Sequence, residues 1–165
     1  MTFQEELYVA DIVPSVNPEN FTVSLSIRHP SIDPHEITQA LGFEPQHSWK
    51  AGERRRTAQG QLLEGAYHES YWTGEFRELD ASLRGVVEIE AVVLQALVQL
   101  RRSQKFLSRL QSEGATVELY VEVAGGSEFT FVLSPQLTSM LARSGVSVAL
   151  KVHADAQVAE RRKAG

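Results

Sequence analysis

The sequence predicts an α+β fold in which a mostly antiparallel sheet is covered by helices on one face. Short segments that alternate apolar and polar residues are typical of half-buried strands. Two segments repeat one order of signals: a strand, an Asp-Pro or Ser-Pro helix start, a short helix, a glycine and a second strand. One longer amphipathic segment separates these two halves. Ferredoxin-like βαβ units, used twice or once with additions and with one long helix between the halves, fit all three observations.

The first half is organised around a capped helix that follows a strand. Asp33 can cap the helix, and Pro34 suits the first helical position, where a missing N–H costs nothing. Glu36 stands where its carboxylate can reach back to the N–H of the capping residue. Gly42 supplies the left-handed residue that ends a helix. The predicted elements are a strand over 21–29, a helix over 33–42 and a short strand over 46–51.

The longest helix is predicted within residues 86–112. Apolar side chains recur there every three or four residues, and basic residues are concentrated in the second half, which suits the helix dipole. A polar stretch over 101–105 interrupts the apolar stripe, so we expect a kink or two successive helices. The stripe consists of Val86, Ile89, Val93, Leu97, Leu100, Leu107 and Leu110.

The second half is predicted to contain a hairpin, a helix and a last strand. Gly125 and Gly126 are typical of a hairpin turn between two alternating segments. Ser134 and Pro135 repeat the signals of the first helix start. The expected elements are strands over 116–123 and 128–133, a helix from Pro135 to Gly145, and a strand over 146–152 with Val146, Val148 and Leu150 facing inward.

Length and composition predict a single domain over residues 1–165, since 42% of the residues are hydrophobic and 22% are charged. The net charge of -5 disfavours binding to nucleic acid or to anionic membranes. No segment has the length and apolarity of a membrane span, and the N-terminus lacks the pattern of a secretion signal. The absence of cysteine excludes disulfides and thiolate metal sites. We therefore expect a cytoplasmic protein.

The ordered motifs from Asp33-Pro34 through Gly42, Trp49 and Gly52 to Trp72 resemble a bacterial family known as domain of unknown function 4279. The shared pattern is D-P-x-x-I-T-x-x-L-G-x-x-P, then W-x-x-G, a strand with a tryptophan, a long helix ending in glycine and a final hydrophobic strand. The resemblance covers residues 20–153 and leaves out a predicted edge strand over 7–13 and a polar tail over 154–165. It implies no activity, cofactor or catalytic residue. The matching residues are Asp33, Pro34, Ile37, Thr38, Leu41, Gly42, Pro45, Trp49, Gly52 and Trp72.

The polar segment from Glu53 to Glu69 is predicted as a long loop or a mobile hairpin, and such segments often carry function. It begins with three consecutive arginines, whose guanidinium groups bind phosphate or carboxylate in a bidentate manner. A solvated loop is the more common role of such a run in an acidic protein. The basic residues of this candidate anion site are Lys50, Arg54, Arg55 and Arg56.

Two tryptophans, Trp49 and Trp72, fall on neighbouring predicted strands near Tyr67 and Tyr71. If both indoles are exposed, they form a stacking platform for a base, a sugar or a peptide. If both pack beneath the long helix, they belong to the core, where tryptophan is usually found.

The sequence predicts neither a catalytic site nor a metal site. The histidines lack metal-ligand spacing, and no Gly-x-Ser-x-Gly motif is present. The acidic residues that flank the polar segment are most simply read as exposed charges. The histidines are His29, His35, His47, His68 and His153.

The sequence leaves two functions open ahead of a third, nucleic-acid binding, which the net charge disfavours. The preferred one is a small non-enzymatic interaction module, either of an immunity type that sequesters another protein or one that binds its own copy. Its surface would be a sheet face or edge with Trp49, Trp72 and the arginines at the rim. The alternative is an enzyme or binding domain for an anionic small molecule between the tryptophan strands and the segment from Arg54 to Glu69. We expect no cofactor under the preferred function.

Overall fold

A computed structural model describes residues 21–76, 89–124 and 131–153. The predicted edge strand over 7–13, the polar tail and Val86 lie outside these residues. The described elements, in chain order, are β1 (Phe21–His29), α1 (Pro34–Leu41), β2 (His47–Trp49), β3 (Arg54–Arg56), β4 (Leu62–Ala66), β5 (Ser70–Glu75), α2 (Ile89–Leu100), a 3₁₀ turn (Arg101–Ser103), α3 (Gln104–Ser112), β6 (Thr116–Ala124), α4 (Pro135–Ser144) and β7 (Ser147–His153).

The main sheet has five strands in the order β2-β5-β1-β6-β7, and β3 and β4 form a separate two-stranded sheet. Three of the four pairings in the main sheet are antiparallel, whereas β6 and β7 are parallel. β5 lies between β1 and β2, and β1 lies between β5 and β6, so two split βαβ units interleave. This is the ferredoxin-like arrangement, extended at one edge by α4 and β7. The predicted α+β class and mostly antiparallel sheet are confirmed.

The predicted hairpin after β6 is wrong where the structure describes it. Residues 131–133 are not in a strand, and residues 125–130 lie outside the described part. The physical reason is that β6 has no vacant edge, because β1 pairs with one side and β7 with the other. The unit that repeats β1-α1-β2 is therefore β5-α2-α3-β6, and residues 131–133 are not one of its strands.

Local signals placed the helix ends correctly. The Asp33 carboxylate accepts from the His35 N–H at 2.9 Å, and Gly42 ends α1 with φ 78°. At α4, the Ser134 hydroxyl accepts from the N–H of Leu137 at 3.2 Å. One detail was wrong: the Glu36 carboxylate does not return to the cap. It lies 3.6 Å from the Arg109 guanidinium instead, because α3 brings a cation within reach.

The long helix bends as its polar interruption predicts. α2 and α3 are joined by the 3₁₀ turn over Arg101–Ser103, so the segment consists of two successive helices. The bend lets both parts keep their apolar side chains against the sheet. The described members of the apolar stripe are all buried, namely Ile89, Val93, Leu97, Leu100, Leu107 and Leu110.

The core lies on one face of the sheet. Alternate residues of β1 and β6 point into it, and α1, α2, α3 and α4 all bury apolar side chains in the same cluster. None of the helices in the described segments is long and apolar enough to cross a membrane. The opposite face, which we call the polar face, carries Thr22, Ser24, Ser26, Arg28, His47, Trp49, Tyr71, Thr73, Glu75, Thr116, Glu118, Tyr120 and Glu122.

Candidate functional site

A two-stranded arm extends from the edge of the sheet. β2 pairs with β5, and β3 pairs with β4. The chain from β2 through β3 and back through β4 to β5 is therefore one long antiparallel hairpin, whose outer part leaves the sheet. The junction is held by backbone hydrogen bonds from the Gly52 N–H to the Tyr67 carbonyl at 2.8 Å and from the Tyr67 N–H to the Glu53 carbonyl at 2.9 Å. We call residues 54–66 the arm. The predicted segment from Glu53 to Glu69 is thus a hairpin, and its mobility stays a prediction.

Every residue of the two arm strands is exposed to solvent. The arm therefore contributes almost nothing to the protein's own core. It includes Leu62 and Leu63, which are 51% and 38% exposed. These two residues were not among the predicted site residues, although a pair of leucines in an otherwise polar segment was a usable signal. An exposed apolar pair on a projecting hairpin is available for contact with another molecule.

Three stacked aromatic rings stand at the base of the arm. Trp49 lies between Tyr67 and Tyr71, with ring centroids 4.6 Å and 4.4 Å away and interplanar angles of 16° and 30°. The Tyr67 hydroxyl also lies against the backbone of Arg56, accepting from its N–H at 3.2 Å. Because an isolated two-stranded hairpin is only marginally stable in water, this stack and this hydrogen bond act as a brace for the arm.

The two tryptophans do not form one platform. Trp49 pairs with Tyr71 in the sheet, whereas Trp72 pairs with Ser48, so the indoles point to opposite faces. Trp72 is fully buried, donates its indole N–H to the Thr38 hydroxyl at 3.0 Å, and is therefore out of reach of a ligand. The prediction that they lie on neighbouring strands was right. The register of β2 against β5, which the sequence does not reveal, separated them.

The three consecutive arginines lie on β3 and are exposed. The side chain of Arg54 lies against the carbonyl of Leu63 at 3.4 Å. The side chain of Arg55 passes over Gly65, where an added Cβ would meet it at 4.0 Å. Within the described residues, none of these arginines is paired with a carboxylate. Their charges are therefore available to an external partner.

A cavity of about 310 Å³ opens beside Trp49, between the start of α1 and the junction with the arm. Lys50 lines it but is already paired with Asp33, at 3.2 Å. The hydrogen bond from the His35 N–H, together with Lys50, holds the pKa of Asp33 below its ordinary value, so this carboxylate is ionised at neutral pH. Glu44 and Glu53 add two further carboxylates, and neither Trp72 nor the arginines line the cavity. This lining opposes the anionic ligand that the sequence suggested.

The described residues hold no cluster of three or more histidine, aspartate or glutamate side chains that could bind a metal ion. Of the candidate site residues, the structure brings Trp49 and Lys50 together at the cavity. It places Arg54, Arg55 and Arg56 on the arm and Trp72 in the core.

The fold and the arm define a ferredoxin-like α+β domain with an exposed β-hairpin at one edge of its sheet. The chain belongs to the family described as Domain of unknown function (DUF4279), whose sequence model matches residues 19–155. The predicted family is thereby confirmed. No curated protein and no solved structure matches the chain.

Proposed function

We propose that this chain is a non-enzymatic protein-interaction module that binds a partner protein through the arm. The proposal rests on one observation. The arm is an ordered hairpin supported at its base by the aromatic stack, yet all eight residues of its strands are exposed. Ordering a backbone segment costs conformational entropy, and burial within this chain does not offset that cost here. Contact with a partner supplies the missing burial.

The chemistry of the arm indicates the kind of surface it fits. Arg54, Arg55 and Arg56 offer guanidinium groups without carboxylate partners in the described residues, and Leu62 and Leu63 offer exposed apolar area. Arginine and aromatic residues are enriched at the energetic centres of protein interfaces. A fitting partner carries carboxylates around a small apolar patch. An immunity-type role and an intracellular bacterial setting belong to the same proposal, and the cysteine-free composition supports a reducing compartment.

The small-molecule alternative rests on the cavity beside Trp49. Its volume of about 310 Å³ is at the lower end for ligand pockets. Its three carboxylates face one ammonium group that is already paired with Asp33. These features support the arm over the cavity as the functional surface.

Replacing Arg54, Arg55 and Arg56 together with alanine tests the proposed function. We expect the immobilised wild-type chain to capture a partner from a lysate of its native cells, and the triple variant to lose that partner, because the guanidinium groups no longer reach its carboxylates. A matched control replaces three other exposed basic residues, Arg101, Arg102 and Lys105, with alanine. Untagged wild-type chain should compete for the partner. Equal capture by the arm variant and the control would remove the arm as the binding surface.

A second prediction concerns the brace. Changing Tyr67 to phenylalanine keeps the ring on Trp49 but removes the hydroxyl that accepts from the Arg56 N–H. We expect the arm amides to exchange with solvent roughly two- to tenfold faster, as suits a lost hydrogen bond worth about 0.5–1.5 kcal/mol. Amides of β1 and β6 serve as the internal reference and should not change. Unchanged exchange in the arm would mean that the hydroxyl does not stabilise it.

A further inference from the structure

The strand β7 is an edge that the described residues leave open. It pairs with β6 through seven consecutive register positions without a bulge, and no described strand pairs with its other side. An open edge presents a row of unpaired N–H and C=O groups that can template another strand. The opposite edge strand, β2, has only three residues, which is a common protection against edge pairing.

The side chains of β7 that point toward the core side are not fully covered. Leu150 and Val152 are paired with the buried residues Val121 and Val123, so they share the core face of the sheet. They nevertheless remain 41% and 50% exposed. Leu150 points to the core side of the sheet, as predicted, but it lies at the open edge and not in the core. Among the described residues, the edge is therefore without a strand partner, and it is apolar on one face.

We propose that two copies of the chain pair through β7, antiparallel and with two-fold symmetry centred on Leu150, to form one continuous ten-stranded sheet. In this register Leu150 lies opposite Leu150 of the second copy, and Val148 lies opposite Val152. Directly opposed residues of antiparallel strands share a face, so the exposed apolar side chains cover each other. A two-fold interface of this kind uses the same surface on both chains.

The charges of β7 fit the same register. Lys151 is the strand's basic residue on the polar face, and it is paired within its own chain with Glu122 at 3.1 Å. In the proposed dimer Lys151 lies opposite the small Ala149, and Ser147 lies opposite His153. No like charges face each other directly, and the strand contains neither proline nor glycine to prevent pairing.

This inference does not depend on the proposed function of the arm. The arm continues from β2 and β5, and β2 is at the far edge of the sheet from β7. A β7 dimer would therefore leave both arms accessible at its two outer edges. Failure of the arm experiment leaves the dimer intact, and a monomeric chain leaves the arm available.

Cysteine cross-linking tests the register, since the natural chain contains no cysteine. Opposed Cα atoms in antiparallel strands are about 4.5–5.5 Å apart, within the span of a disulfide. We expect Leu150→Cys to form a disulfide-linked dimer on mild oxidation. Val148→Cys is the matched control, because four residues of strand place the two substituted positions more than about 13 Å apart. A mixture of Val148→Cys and Val152→Cys chains should again cross-link.

The association state provides the second arm of the test. We expect sedimentation velocity of the wild-type full chain to give a dimer, and Leu150→Lys to give a folded monomer, because two ammonium groups would then face each other across the interface. Circular dichroism checks that the Leu150→Lys variant is folded. We expect it to fold because the side chain of Leu150 is already exposed in the single chain. A monomeric wild type, as when another segment of the same chain covers β7, overturns the proposal. So does cross-linking of Val148→Cys as efficient as that of Leu150→Cys.

Discussion

Replacing Trp72 with alanine is expected to lower the free energy of unfolding by about 3–5 kcal/mol, the largest effect we anticipate for a single side chain. The indole is fully buried beneath α1, contacts Phe43 edge-on at 5.3 Å, and donates to the Thr38 hydroxyl. Alanine would leave a cavity and remove the N–H that donates to the Thr38 hydroxyl. Urea unfolding followed by far-UV circular dichroism measures the change.

Two further variants test the physical origin of this loss. Trp72→Phe keeps much of the apolar volume and removes the indole N–H, so it should cost clearly less than alanine. Trp49→Ala provides the contrast at the chain's other tryptophan. It removes two stacked contacts on the polar face, each worth roughly 0.5–1.5 kcal/mol, and leaves the core unchanged. A loss at Trp49 that equals the loss at Trp72 would contradict the assignment of the two indoles to opposite faces.

Replacing His29 with alanine is expected to lower the free energy of unfolding by roughly 2–4 kcal/mol. The substitution leaves backbone N–H groups without a partner, and a buried donor without a partner costs about 1–3 kcal/mol. His29, at the end of β1, is 6% exposed. Its Nδ1 atom accepts from the N–H groups of Ser31 and Ile32 at 3.0 Å and 2.9 Å. The proton must therefore be on Nε2, which donates to the Glu113 carboxylate at 3.0 Å. One side chain thus ties together β1, the turn before α1 and the end of α3.

Substitutions that mimic one nitrogen at a time separate these contacts. His29→Asn places an acceptor near the position of Nδ1 and should retain the turn, whereas His29→Gln places an amide nearer to Nε2 and retains only the contact with Glu113. We expect asparagine to preserve more stability than glutamine in urea unfolding. The reverse order would show that the hydrogen bond to Glu113, and not the turn, is the important interaction.

The sequence located individual elements well where the signal was local. Asp33 with Pro34 and Ser134 with Pro135 placed both short helices, because a capping side chain and a preset φ act within one turn. The polar interruption between Leu100 and Leu107 placed the bend in the long helix. The errors arose where distant segments compete for the same strand edge. Residues 131–133 were predicted to pair with β6, but β1 and β7 already fill both edges of β6.

The candidate site was harder to predict for the same reason. The sequence identified the arginine segment and both tryptophans, but a shift of one residue in register moves a strand side chain to the other face. That register placed Trp49 in the stack at the base of the arm and Trp72 in the core. It also made Tyr67 and Tyr71, and not the second indole, the partners of Trp49.

Residue patterns alone were enough to predict the α+β class, the family, the helix boundaries and the apolar face of the long helix, because capping, periodicity and backbone preference act over a few residues. The tertiary structure alone decided which strands are neighbours, which aromatic ring is buried, and that the arm and β7 lie at opposite edges of one sheet. These features depend on the pairing of strands that are far apart in the chain, which places Trp49 beside Tyr71 and Val121 beside Leu150. No short stretch of sequence contains both partners of such a pair.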